Sequence, residues 1–96
     1  MENYFYSKRF DYRGTDVPCV FTFDPQAELL WLQPCEQFYI ERGHSVDTEE
    51  FDRVSLLCGA WGRRECSSLA QANRLIQRHY PVEWSYGICF PEISED

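Results

Sequence analysis

Ninety-six residues carry sixteen carboxylates against nine Lys and Arg, a net charge of −7, with 17 % aromatic and 44 % hydrophobic residues. A chain of this size builds one core and buries about 60–65 % of its unfolded surface, so 1–96 is read as one domain that folds without metal or disulfide staples. Its acidity argues against general nucleic-acid binding, because a duplex repels an acidic body that lacks a basic stripe.

The opening Met-Glu-Asn-Tyr-Phe-Tyr lacks the basic and apolar regions of a signal peptide, and no apolar run approaches the ~18 residues of a membrane span. Five cysteines stand singly at 19, 35, 58, 66 and 89, with only His44 and His79 to join them. That pattern supports neither a zinc framework nor a disulfide set, and it predicts reduced thiols in a cytoplasmic setting with no metal and no cofactor.

Residues 3–12 alternate: Tyr4, Tyr6, Lys8, Phe10 and Tyr12 share one face, Phe5, Ser7, Arg9 and Asp11 the other. Arg13-Gly14-Thr15-Asp16 has turn chemistry, and Val17 to Phe23 alternates again, with Cys19, Phe21 and Phe23 opposite Val20 and Thr22. The pattern predicts a β-hairpin over roughly 3–23. If Phe5 joins the core, the three tyrosines and Phe10 form an exposed row; if the tyrosines point inward, that row vanishes.

The stretch 25–40 permits two continuations. Asp24-Pro25 is a good helix start, and Ala27, Leu30 and Trp31 follow helical spacing, which favours a helix near 25–33 that Pro34 either stops or kinks. The competing reading is a tight turn returning into a strand at Leu29–Leu32. Phe38-Tyr39-Ile40 is read as a short strand before Gly43.

Asp47, with Glu50 three places on, has the spacing of a helix N-cap, and Phe51, Val54, Leu57, Cys58 and Trp61 form an apolar stripe closed by Gly59 or Gly62. Ser68 and Gln71 have capping-box spacing and open a third helix, with Leu69, Ala72, Ile76 and the 79–80 region on its buried side. Tyr80-Pro81 ends it. Val82, Trp84, Tyr86, Ile88 and Phe90 then fall on one side of a predicted strand, and the acidic 91–96 is expected to fray. The sum is an α+β domain, three or four mainly antiparallel strands packed against two or three helices in the order β-β-α-(β)-α-α-β.

No residue set has the spacing of a Ser elbow, a Walker loop, a zinc-protease helix or a dinucleotide fingerprint, and no catalytic residue is assigned. Cys66 near a helix start is the best placed thiol, without a His partner. Asp47, Glu49, Glu50 and Asp52 make the densest acidic cluster, and with Trp61 as an aromatic anchor they form the predicted surface for a basic site on a protein partner. The expectation is an inhibitory binding module of the immunity-protein, antitoxin or phage-inhibitor kind, not an enzyme. One alternative is a small-anion domain using Arg63, Arg64, Arg74 and Arg78, where Arg74 and Arg78 repel each other across one turn unless neutralised. Another is a subunit of a larger assembly.

Overall fold

Seven residues, Pro18–Asp24, form the central strand, and the computed structural model, which describes residues 4–79, arranges everything else around it. The strand predicted at 82–90 and the tail at 91–96 lie outside the described residues. In chain order the elements are β1 (Phe5–Tyr6), β2 (Phe10–Asp11), β3 (Pro18–Asp24), β4 (Leu29–Pro34), α1 (Glu36–Glu41), α2 (Glu49–Trp61), β5 (Arg64–Glu65) and α3 (Leu69–His79). Among the described residues every strand pairing is antiparallel: β1 and β2 share one edge of β3, β4 takes the other, and β5 extends the sheet beyond β4. The class is α+β, an antiparallel sheet with three helices. Among the described residues no helix is long and apolar enough to cross a membrane.

The alternation read in β3 is present. Cys19, Phe21 and Phe23 belong to the main core with Val54 and Cys58 of α2 and Ala72 and Ile76 of α3, so both long helices lie on that side of the sheet. Val20 and Thr22 face the other way and are nonetheless buried.

The first hairpin forms with an interruption. Phe5 pairs with Phe23 and Tyr6 with Thr22, whereas Phe10 pairs with Cys19 and Asp11 with Pro18. Three residues, Ser7 to Arg9, therefore stand opposite only Val20 and Phe21, which is a β-bulge. Ser7 fills it: its N–H donates to the Phe21 carbonyl at 3.0 Å, and its Oγ accepts from the Phe21 N–H at 2.9 Å while donating to the Lys8 carbonyl at 3.0 Å. One extra residue exchanges the faces of everything beyond it. Phe5 and Phe10 both stack inward, on Phe23 at 6.1 Å and on Phe21 at 5.8 Å, and Tyr12 packs on the core with them. Tyr4 and Tyr6 remain on the opposite face. The predicted single row is cut in two.

The helix favoured at 25–33 is not there. Asp24 does act as a cap, its Oδ1 accepting from Gln26 N at 3.0 Å and Ala27 N at 3.3 Å, but Glu28 takes φ +58° and the chain turns back as β4. The ladder then runs from Asp24↔Leu29 to Cys19↔Pro34, with Leu30 and Leu32 buried against the aromatic face of β3. Helix propensities differ by at most about 0.7 kcal/mol between ordinary residues, and six paired residues with two buried leucines outweigh them. The short strand expected at Phe38-Tyr39-Ile40 is instead α1, which buries only Tyr39 and leaves Phe38 and Ile40 exposed before Gly43 breaks it at φ +92°.

The two later helices follow the sequence closely. Thr48, one place after the expected Asp47, caps α2 by accepting from Phe51 N at 3.1 Å; Phe51, Val54 and Cys58 are buried, Leu57 is not, and Gly62 at φ +83° closes the helix. Ser68 Oγ accepts from Gln71 N at 3.1 Å, and Gln71 Oε1 returns to the N–H of Ser67, one residue before the expected partner. The unexpected β5 pairs Leu29 with Glu65 and Leu30 with Arg64.

Replacing Ser7 by Ala should cost about 1–3 kcal/mol in urea unfolding, because the buried Phe21 N–H loses its acceptor. A loss within error would mean that water takes the place of the hydroxyl.

Candidate functional site

The first turn of α2 separates its acids by role. Asp47, Glu49 and Asp52 are exposed, and their carboxylates make no ion pair among the described residues. Glu50 turns inward: Oε1 accepts from the Tyr39 hydroxyl at 3.0 Å and Oε2 from the Asp16 N–H at 3.3 Å. Trp61 closes the far end of this 13-residue helix, about 18 Å from Glu49 at 1.5 Å per residue. It is half-buried, edge-on to Phe21 at 5.1 Å and beneath the Arg64 guanidinium at 4.5 Å. Of the five predicted contact residues, three acids stay together; Glu50 and Trp61 are engaged elsewhere.

The four arginines do not converge. Arg63 lies 4.9 Å from the Trp31 ring on one face of the sheet, while its neighbour Arg64 covers Trp61 on the helical face. Arg74 and Arg78 are exposed on α3. Desolvation, then the charges of Arg64 and Arg78, hold the His79 imidazole below its ordinary pKa. Burial pushes the Cys66 thiol up, and its S–H donates to the Ser68 carbonyl at 3.2 Å, so Cys66 is not poised as a thiolate.

A polar joint that no local spacing announces ties three segments together. Arg42, just after α1, donates through Nη1 to Asp11 Oδ1 at 2.8 Å, to Asp16 Oδ1 at 2.9 Å and to the Asp16 carbonyl at 3.0 Å. His44 Nε2 meets Asp16 Oδ2 at 2.7 Å, its ring stacked on Tyr39 at 4.7 Å. The Tyr39 hydroxyl also reaches the capping Thr48 Oγ1 at 3.0 Å. The β2–β3 loop, the end of α1 and the start of α2 thus share one network. The hydrogen bond from His44, then the charge of Arg42, lower the Asp16 carboxyl below its ordinary value, and the bond to Asp11 raises the Arg42 guanidinium. Among the described residues no Ser, Thr or Cys side chain bonds to His44, and the pair ties the β2–β3 loop to the turn after α1.

The sheet face away from the long helices carries the remaining chemistry. Tyr4 meets Tyr6 and Trp31 edge-on at 6.5 and 5.9 Å, and Trp31 Nε1 donates to Gln33 Oε1 at 3.0 Å. Beside them a cleft of about 370 Å³ is lined by Tyr6, Ser7, Arg9, Val20, Gln33, Cys35 and Phe38. Arg9 lies 3.6 Å from the centre of the Phe38 ring. Half of the exposed tyrosine row considered for 3–12 is therefore present, as part of a mixed aromatic and arginine surface. Comparison with protein-family models, curated proteins and solved structures yields no match.

The Asp16 shift has a definite sign. A carboxyl whose folded pKa is depressed stabilises the fold above its ordinary value of 3.8, and that contribution fades as pH falls through the lower folded value. Urea midpoints measured from pH 7 down to pH 3 should decline on the acid side in the native chain and decline less in Asp16→Asn. Parallel curves would remove Asp16 from the acid response.

Proposed function

We propose that this protein is a small inhibitory binding module that occludes a basic site on a protein partner, docking through the exposed carboxylates of Asp47, Glu49 and Asp52. The observation that carries this reading is their combination of exposure, lack of an ion pair among the described residues and mounting at a capped helix start. Thr48 caps the turn, and Glu50 ties it to Tyr39 and to the backbone of Asp16. A backbone already held in place loses less freedom on docking than a mobile loop would.

Charge distribution adds support. All nine cations fall within 4–79, whereas Glu2, Glu83, Glu92, Glu95 and Asp96 of the sixteen carboxylates fall outside it. The described body is close to charge-balanced, so the start of α2 is a local feature and not a sample of a uniformly acidic surface. Such a patch raises association rates and selects basic partners more than it adds raw affinity. An immunity protein, an antitoxin or a phage-encoded inhibitor of a nucleic-acid enzyme fits this description, acting in a reducing cytoplasm, where Cys19, Cys35, Cys58 and Cys66 would stay free as they are here.

A second reading, a subunit of a larger assembly, is favoured by Leu56 and Leu57, which are 74 % and 43 % exposed on α2. Light scattering at two concentrations separates it from a monomeric inhibitor. The small-anion reading has less support, since Arg63 and Arg64 stack on opposite faces of the sheet.

The test is a triple charge reversal, Asp47→Lys, Glu49→Lys and Asp52→Lys, in the tagged full-length chain. The protein that co-purifies with the native chain at low salt should be released as salt rises and be lost with the triple variant. Retention unchanged by both would remove the proposed surface.

A further inference from the structure

The cleft at the Ser7–Arg9 bulge differs from the carboxylate cluster at the start of α2. None of its lining residues is a carboxylate, and it carries one guanidinium. Arg9 is exposed and makes no ion pair among the described residues, in a chain with sixteen carboxylates to choose from. The Phe38 ring at 3.6 Å covers one face of that guanidinium and leaves its in-plane N–H groups for an acceptor.

Gln33 supplies a second donor. The Trp31 indole can only donate, so the Gln33 oxygen must be the atom that accepts at 3.0 Å, and its NH₂ group is the end left over. The remaining walls are apolar or spoken for. Val20 is 8 % exposed yet stands apart from the main core, and the Ser7 hydroxyl is consumed within the bulge. Burial pushes the Cys35 thiol up against the opposing charge of Arg9, so it is a neutral wall beside that cation. Tyr6 and Phe38, two of the exposed large hydrophobics, face this space from β1 and α1. A volume of about 370 Å³ lies at the small end of ligand sites, and apolar walls with a few convergent polar groups are what such sites offer.

We propose that this cleft binds a small aromatic monocarboxylate, with the carboxylate on the Arg9 guanidinium and the Gln33 amide and the ring over Val20 between Tyr6 and Phe38. A guanidinium with no carboxylate beside it in the lining disfavours a cation, and a single guanidinium suits one carboxylate better than a polyanion. The site shares no residue with the acidic turn of α2, so either can fail without the other.

The probe is phenylacetate, with phenylacetamide as its uncharged counterpart and acetate as the head group alone. Cys35 in the full-length chain is alkylated with iodoacetamide and each cysteine is followed by peptide mass spectrometry, while the Gln33 side-chain amide is followed by NMR. Phenylacetate should shift the Gln33 resonances and slow Cys35 labelling by about elevenfold at ten times its Kd, leaving the rates at Cys19, Cys58 and Cys66 unchanged. Arg9→Met, which keeps an aliphatic stem over Phe38, should weaken phenylacetate by about 10- to 100-fold as read by the Gln33 shifts. No saturable response to phenylacetate overturns the site. Equal responses to phenylacetamide, or equal affinity in Arg9→Met, overturn the carboxylate assignment.

Discussion

Whether an aromatic ring on the first strand points into the core or out to solvent is decided by the hydroxyl of Ser7. A strand has two faces and a period of two, so an insertion of one residue reverses the sense of every side chain beyond it. The Phe21 N–H would have no partner across the three-against-two mismatch, and a buried donor without an acceptor costs about 1–3 kcal/mol. Ser7 supplies the acceptor from its own side chain. That one substitution of a side-chain oxygen for a main-chain carbonyl lets Phe5 and Phe10 enter the same core from positions of opposite parity. It also leaves Tyr4 and Tyr6 on the other face and sets Arg9 at the margin of the sheet, where Phe38 meets it.

Central strand β3 makes this arrangement necessary. It is hydrogen-bonded along both edges and buried on both faces, the environment of an interior strand in a sheet that is otherwise short and irregular at its margins. The long helices shield only its aromatic side. On the other side Val20 and Thr22 are buried as well, and the Thr22 hydroxyl has no hydrogen-bond partner among the described residues. The sheet thus presents two surfaces of different chemistry, a hydrocarbon one against helices and a mixed one rich in rings, guanidinium and amide.

Much of the secondary structure could be read from residue order. α2 and α3 declared themselves through caps and a 3.6-residue apolar period, and the β3 alternation was unambiguous. The misreading at 25–33 has a physical cause: Asp24-Pro25 satisfies the same two N–H groups whether a helix or a turn follows, and only the αL geometry of Glu28 separates them. The bulge left no mark because Tyr4 to Tyr12 alternate without a break, and β5 is too short to show a period. Of the candidate surface, Asp47, Glu49 and Asp52 were legible as a cluster, but the inward turn of Glu50 depends on Tyr39 and Asp16, which lie 11 and 34 residues away. The Arg42–Asp16–His44 joint spans similar separations, and no local pattern encodes it.

The sulfur atoms of Cys19 and Cys58 lie 3.9 Å apart in the core, one on the central strand and one on the long helix. Both thiols are buried, and their mutual hydrogen bond with desolvation drives the Cys19 thiol far above its ordinary range, so Cys19 does not supply the thiolate that thiol exchange requires. Two sulfurs near enough to crosslink sheet and helix are therefore kept as soft packing, and mild oxidants would have to open the domain before they could staple it.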